Sequence, residues 1–205
     1  MGHSREDKAL SRERILKSAS QRIREHGLDG LSVAELMKSA GLTHGGFYGH
    51  FPSRQDVVLA GLERALSDGD VAALAGERGK ATRTVRSVVN GYLSVAHRDE
   101  PSAGCAVAAV GGEVARSDPA VRKVMAGKIE RSLESMASIY GGEEEAEEFA
   151  MAAWSTMVGA LVLSRVLKGD PKSERILAAA KSSVMMLEAA YRDADTPDAS
   201  EDKAS

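Results

Sequence analysis

The chain has 205 residues, 43% of them hydrophobic, enough to bury one sizeable core or a small head and a body, which excludes disorder of the whole. A single cysteine, Cys105, excludes an intrachain disulfide, and no stretch is expected to combine the apolar length and flanks of a signal peptide or membrane span, so a soluble cytoplasmic protein with no membrane partner is expected. The net charge of −3 argues against nucleic acid only as an average: residues 1–60 carry nine Lys+Arg against seven Asp+Glu, and residues 61–205 carry 18 against 23. Four of the five histidines, His3, His26, His44 and His50, also lie in the basic N-terminal segment.

Strand signals are nearly absent, because aromatics are only 4% and runs of β-branched residues are few, so an all-α chain of about nine helices is expected. A first helix is predicted from about Lys8 to His26, with Ile15, Leu16, Ala19 and Ile23 on one face and Gly27 closing it. A short second helix starts at Ser32, whose hydroxyl caps the first turn while Glu35 reaches back in a capping box; Val33, Leu36, Met37 and Ala40 make its apolar stripe and Gly41 ends it. Thr43 caps a third helix, His44 to about His50, with Phe47 and Phe51 turned inward. Pro52 stops it, and a long helix follows from Ser53 with Val58, Leu62 and Leu66 on its buried side.

Further helices are expected from about Ala81 to His97, Cys105 to Ala115, Pro119 to Tyr140, Glu143 to Lys168 and Pro171 to Arg192. Asp118-Pro119 and Asp170-Pro171 each set a capping carboxylate before a proline, whose missing N–H costs nothing in the first turn. The small, acidic tail of residues 193–205 is expected to be disordered.

Residues 32–51 read as helix, tight turn, helix, the outline of a helix-turn-helix whose second helix enters a major groove. Thr43-His44-Gly45-Gly46-Phe47-Tyr48-Gly49-His50-Phe51 is sharper than that outline. It sets three glycines in a helix, each costing roughly 1 kcal/mol against alanine, which suits a short helix held from behind whose outer face approaches another surface. From Glu13 to about Val58 the chain resembles the DNA-binding domain of the TetR family. The resemblance rests on Ile15-Leu16, Ala19, Gly27, Gly30, Ser32-Val33-Ala34-Glu35-Leu36-Met37, Ala40-Gly41-Leu42 and Gly46-Phe47-Tyr48-Gly49-His50-Phe51. Pro52 departs from it, standing where many relatives carry a basic residue.

The resemblance implies a three-helix DNA-binding domain at 8–52, followed by a helical ligand-binding and dimerisation domain at 53–192. It places Thr43, His44 and Gly45 on base edges, and Ser32, Tyr48, His50 and Arg54 on phosphates of double-stranded DNA. Tyr48 has a second reading as a core tyrosine, and His44 as an idle surface imidazole. In the body, Met151, Trp154, Val158 and Leu161, and again Leu177, Ala180, Val184, Leu187 and Tyr191, recur at the seam spacing of helices packed side by side. The opposite face of the helix before Lys168 is apolar too, through Phe149, Ala153, Met157, Ala160 and Leu163. One face is expected to be core and the other a homodimer interface formed by Met151, Val158, Leu161, Leu177, Val184, Leu187 and Tyr191. A small-molecule effector site is expected at Tyr92, Cys105, Trp154 and Met157, and no cofactor or metal.

The function expected is a ligand-responsive repressor released from a palindromic operator. An alternative is a repressor that senses electrophiles or oxidants through Cys105, whose thiolate a helix N-terminus would favour. An enzyme is a remote alternative: Cys105 and His97 lack a third orienting group, and no phosphate-cradling glycine loop, zinc spacing or paired-carboxylate motif occurs. A helical scaffold binding only protein is the other.

Overall fold

The computed structural model describes residues 5–74, 83–141 and 144–194. Among these residues all regular structure is helical: α1 (Arg5–His26), α2 (Val33–Ser39), a 3-10 helix (His44–Gly49), α3 (Arg54–Leu74), α4 (Val85–Tyr92), α5 (Val95–Asp99), a 3-10 turn (Pro101–Ala103), α6 (Ala106–Val114), α7 (Pro119–Tyr140), α8 (Glu144–Val166) and α9 (Lys172–Ala194). Two compact units result. One holds α1–α3, α5 from Ala96, α6 and α7 up to Glu130; the other holds α4, the rest of α7, α8 and α9.

In the first unit, α1 and α3 pack lengthwise, burying Ile15, Ala19 and Ile23 against Val58, Leu62, Ala65 and Leu66. Removing such side chains from water stabilises by about 1.5–3 kcal/mol each. A buried guanidinium sits at their ends: Arg24, its side chain 3% exposed, donates to the carbonyls of Ala65 and Ser102 and lies 3.7 Å from Asp68. Burial pushes its pKa down and Asp68 opposes that; arginine stays charged throughout. Arg64, paired with Glu13 and Asp68, is pushed upward by those bonds.

The second unit is built on α8 and α9. Phe149, Ala150, Ala153, Met157, Leu161 and Ser164 are buried along α8, and Leu177, Ala180 and Val184 along α9. The Ser173 hydroxyl donates to the Ser164 carbonyl at 2.6 Å and fixes the turn between them. At the other end the Tyr140 ring stacks on Phe149 at 4.6 Å, and the Arg192 guanidinium lies 4.7 Å above it.

Several boundaries differ from expectation. The stretch expected as one helix to His97 is two: Thr84 and Ser87 form a reciprocal capping box that starts α4 at Val85, and Leu93 (φ −89°, ψ 34°) ends it. Asn90, Gly91 and Ser94 are poor helix formers, which explains the break; the expected start at Ala81 lies outside the described residues. At Ser32 only half of the box forms. Its hydroxyl accepts from the Glu35 N–H at 3.5 Å, but the Glu35 carboxylate pairs with Arg22, and Ser32 N–H goes to the Gly30 carbonyl. The Asp118 carboxylate accepts from Gln55 rather than capping, whereas that of Asp170 caps α9 through Lys172 N–H at 2.7 Å. Asp193 and Ala194, expected in the tail, complete α9. The expected start at Glu143 and residues 195–205 lie outside the described residues.

The sequence is expected to hold no stretch combining the apolar length and flanks of a membrane span; residues 146–166 meet the length and composition. The same helix buries a continuous face within its unit, through Phe149, Ala153, Met157 and Leu161.

Candidate nucleic-acid interface

Helix α2 ends in a six-residue lock: Leu42 N–H reaches the Met37 carbonyl at 2.8 Å and Gly41 N–H the Lys38 carbonyl at 3.1 Å. This needs a left-handed residue, and Gly41 supplies φ +71°. Gly41→Ala is expected to destabilise the chain by about 1–2 kcal/mol, the left-handed penalty of an L side chain, since a Cβ there would meet nothing closer than Arg14 at 3.9 Å. Urea denaturation measures it; an unchanged midpoint would mean the turn relaxes freely.

The turn delivers the chain into His44–Gly49, which is a 3-10 helix and not the α-helix expected. Gly46 N–H bonds the Thr43 carbonyl, three residues back, and the glycines give little reason to propagate an α-helix. Phe47 and Phe51 anchor it: they are 1% and 2% exposed, with rings 6.0 Å apart, and Arg12 of α1 covers the outer side of Phe51 at 4.9 Å. Tyr48 packs its edge on Phe47 at 5.3 Å yet is 73% exposed, so it is not a core tyrosine.

Thr43, His44 and Gly45 are all exposed beside it, and His50 is half-buried. A Cβ added at Gly45 or Gly49 would meet no atom within 4 Å, and one at Gly46 would make only ordinary contacts. Interior packing therefore does not demand these glycines. Ser32 is exposed and engaged as the cap of α2. The Arg54 guanidinium is exposed too, but it holds the carbonyls of Leu28, Asp29 and Leu31, a bracing task that sequence spacing does not reveal.

Most arginines around the head have internal partners: Arg12 on Phe51, Arg22 on Glu35, Arg24 and Arg54 on carbonyls. Lys8, Lys17 and Lys38 stand exposed without an ion-pair partner among the described residues. A groove of about 600 Å³ opens between α1 and the 3-10 helix, bordered by Lys8, Arg14, Thr43 and His50, but Asp7 and Glu13 offset its cations, so it is no phosphate cradle.

The residues singled out in the body fall in both units. Tyr92 is buried and meets the half-buried Trp154 at 5.3 Å, with Met157 fully buried on the same helix as Trp154. Cys105 belongs to the first unit; it is buried, precedes α6, and donates its backbone N–H to His97 Nε2 at 2.9 Å. Of the expected interface residues, Leu161, Leu177 and Val184 are buried inside a single chain, so they form the internal seam of α8 and α9. Val158, Leu187 and Tyr191 are half-buried and Met151 is 45% exposed. The outward apolar residues are Met151, Val162, Leu163 and Val166 of α8 and Met186 of α9; Leu163, expected in the covered face, lies outside.

Residues 15–60 match the family described as bacterial regulatory proteins, tetR family. An uncharacterized HTH-type transcriptional regulator of Mycobacterium tuberculosis is 29% identical over 167 residues, covering 76% of this chain and 84% of that one. The HTH-type transcriptional regulator EthR of the same species is 36% identical over 58 residues, 28% of this chain and 27% of that one. In structure the chain is similar to a TetR transcriptional regulator from Chloroflexus aurantiacus, with a TM-score of 0.74 at 20% identity over 88% of this chain and 95% of that one. Residues 15–60 therefore carry a DNA-binding domain of the tetR family in a chain with the fold of TetR transcriptional regulators, and together with the regulator similar along most of its length this supports a DNA-binding transcriptional regulator.

Proposed function

We propose that the protein is a cytoplasmic, homodimeric repressor that reads a palindromic operator with residues 43–50 and releases it when a small molecule binds the body. The observation that carries the DNA-reading role is the outer side of the 3-10 helix, where exposed Thr43, His44 and Tyr48 alternate with glycines that no internal contact requires. Thr43 and His44 bring a hydroxyl and an imidazole to base edges, Gly45 lets backbone approach, and Ser32, Tyr48 and His50 fix the register on phosphates. Arg54 serves the phosphate backbone indirectly, through the loop it braces.

Selection from a random-sequence duplex pool tests it. A palindrome with half-sites about 34–36 Å apart is expected, and His44→Ala should relax preference at one base position while costing about 1–3 kcal/mol of discrimination. Recovery of no common sequence would refute the reading. With three unpaired lysines per head and two heads, log K should fall against log salt with a slope of about −5, well short of a heavily cationic binder. Titration between low and physiological salt measures this.

For the effector, the buried Tyr92 ring against Trp154, with Met157 buried one turn further along α8, supports an aromatic or amphipathic small molecule. A second reading takes Cys105 as a thiol sensor, with His97 held near it by the hydrogen bond that its Nε2 accepts from the Cys105 N–H. Under it, Cys105→Ser abolishes release by thiol-reactive compounds; under the first it changes nothing.

A further inference from the structure

The loop Leu28–Leu31 joins α1 to α2 and delivers the chain to Ser32, the cap from which the helix-turn-helix starts. It is gripped from two sides. Arg54 of α3 holds three of its carbonyls, those of Leu28 and Asp29 through Nη2 at 3.0 and 3.3 Å and that of Leu31 through Nε at 3.2 Å. From the opposite direction in sequence, Glu113 of α6 accepts the Leu28 N–H on Oε2 at 2.8 Å. The same carboxylate lies against Gly27, the left-handed residue (φ +80°) that closes α1; a Cβ there would come within 2.5 Å of Glu113 Oε1.

Glu113 stands far outside the segment matched by the family, residues 15–60, yet it holds the joint on which that segment turns. Two more ties bind the same stretch to the head: Arg24 Nε to the Ser102 carbonyl and Gln55 Nε2 to Asp118 at 3.2 Å. The placement is also chemically telling. A carboxylate at the carboxyl end of α1 faces the negative pole of that helix, so charge is the wrong feature there and acceptor capacity the right one. Leu28 N–H, two residues beyond the end of α1, would otherwise lack a partner in a buried residue.

We propose that Glu113 is a positioning residue for DNA binding: by accepting the Leu28 N–H opposite Arg54, it fixes the α1–α2 joint and with it the setting of the reading helix. The inference rests on the head binding DNA, and one arm of its test needs no DNA. In the full chain, Glu113→Ala should weaken binding to a duplex selected by the parent protein by about tenfold, the size of one lost charged hydrogen bond. Glu113→Gln, which keeps the acceptor and removes the repulsion, should bind within about twofold of the parent or more tightly. Amide exchange on the free protein reads the joint itself: in Glu113→Ala, residues 28–32 should lose protection while Ile15–Ile23 of α1 keep theirs.

Equal affinity of Glu113→Ala and the parent would overturn the proposal. So would an amide variant that falls as far as the alanine, or unchanged exchange at residues 28–32. Should the alanine variant fail to fold, the Gln variant and its exchange pattern decide alone: retained protection at residues 28–32 with parental affinity supports the proposal, and loss of either sinks it.

Discussion

Phe47→Ala is expected to cost about 3–5 kcal/mol in stability, and Tyr48→Ala, the next residue, within about 0.5 kcal/mol. Phe47 is 1% exposed and carries the packing of a helix too short to hold itself, whereas Tyr48 stands 73% exposed with only its edge on Phe47. In DNA binding the order changes. Tyr48→Ala should lose affinity for the selected duplex by roughly tenfold, the scale of a phosphate contact, while remaining folded. Phe47→Ala should lose binding altogether, because it removes one of the two anchors of a 3-10 helix whose glycines bring no side chains to replace it. Urea denaturation with duplex titration on both variants separates anchor from reader; similar stability losses in the two would show that Tyr48 is part of the core.

Much of this head was legible in sequence because its determinants are local. Gly41 after an apolar stripe, two phenylalanines four apart and a proline directly after them leave few ways to turn. What sequence did not disclose was set by partners distant in the chain. Glu35 sits at the right spacing to complete the Ser32 box, but Arg22 of α1 offers it an opposite charge and wins. Arg54 looks like a cation kept for phosphate until the three carbonyls of the loop before α2 come within its reach. The 3-10 character of residues 44–49 follows from glycines that were seen, but the form they impose was not. In α8 the difficulty is of another kind: both faces are apolar, and a stripe spaced three and four residues apart states that a face is buried without stating by what. Leu161 and Leu163 differ by only two positions, and the packing of α9 decides that the first is core and the second is open.

That open face carries the last expectation. Met151, Val162, Leu163, Val166 and Met186 are apolar and exposed, and Ser155, Gly159, Ala179, Ser182 and Ala189 leave low ground between them on α8 and α9. Each helix has 23 residues and so runs about 35 Å, and two such helices about 10 Å wide present roughly 700 Å². A stable interface covers about 800 Å² per partner, so a second copy of the same face is of the right size. Val166 is 77% exposed, and Val166→Asp therefore should leave the chain folded while placing a buried, unpaired carboxylate in each half of a dimer. Sedimentation should show monomers. Operator affinity should fall by about 10²–10⁴, because two linked heads lose the effective concentration that lets the second half-site bind within one complex. Binding of a single half-site duplex should change little. A variant that sediments as a dimer would place the interface elsewhere, and a monomer retaining full operator affinity would show that one head reads the whole site.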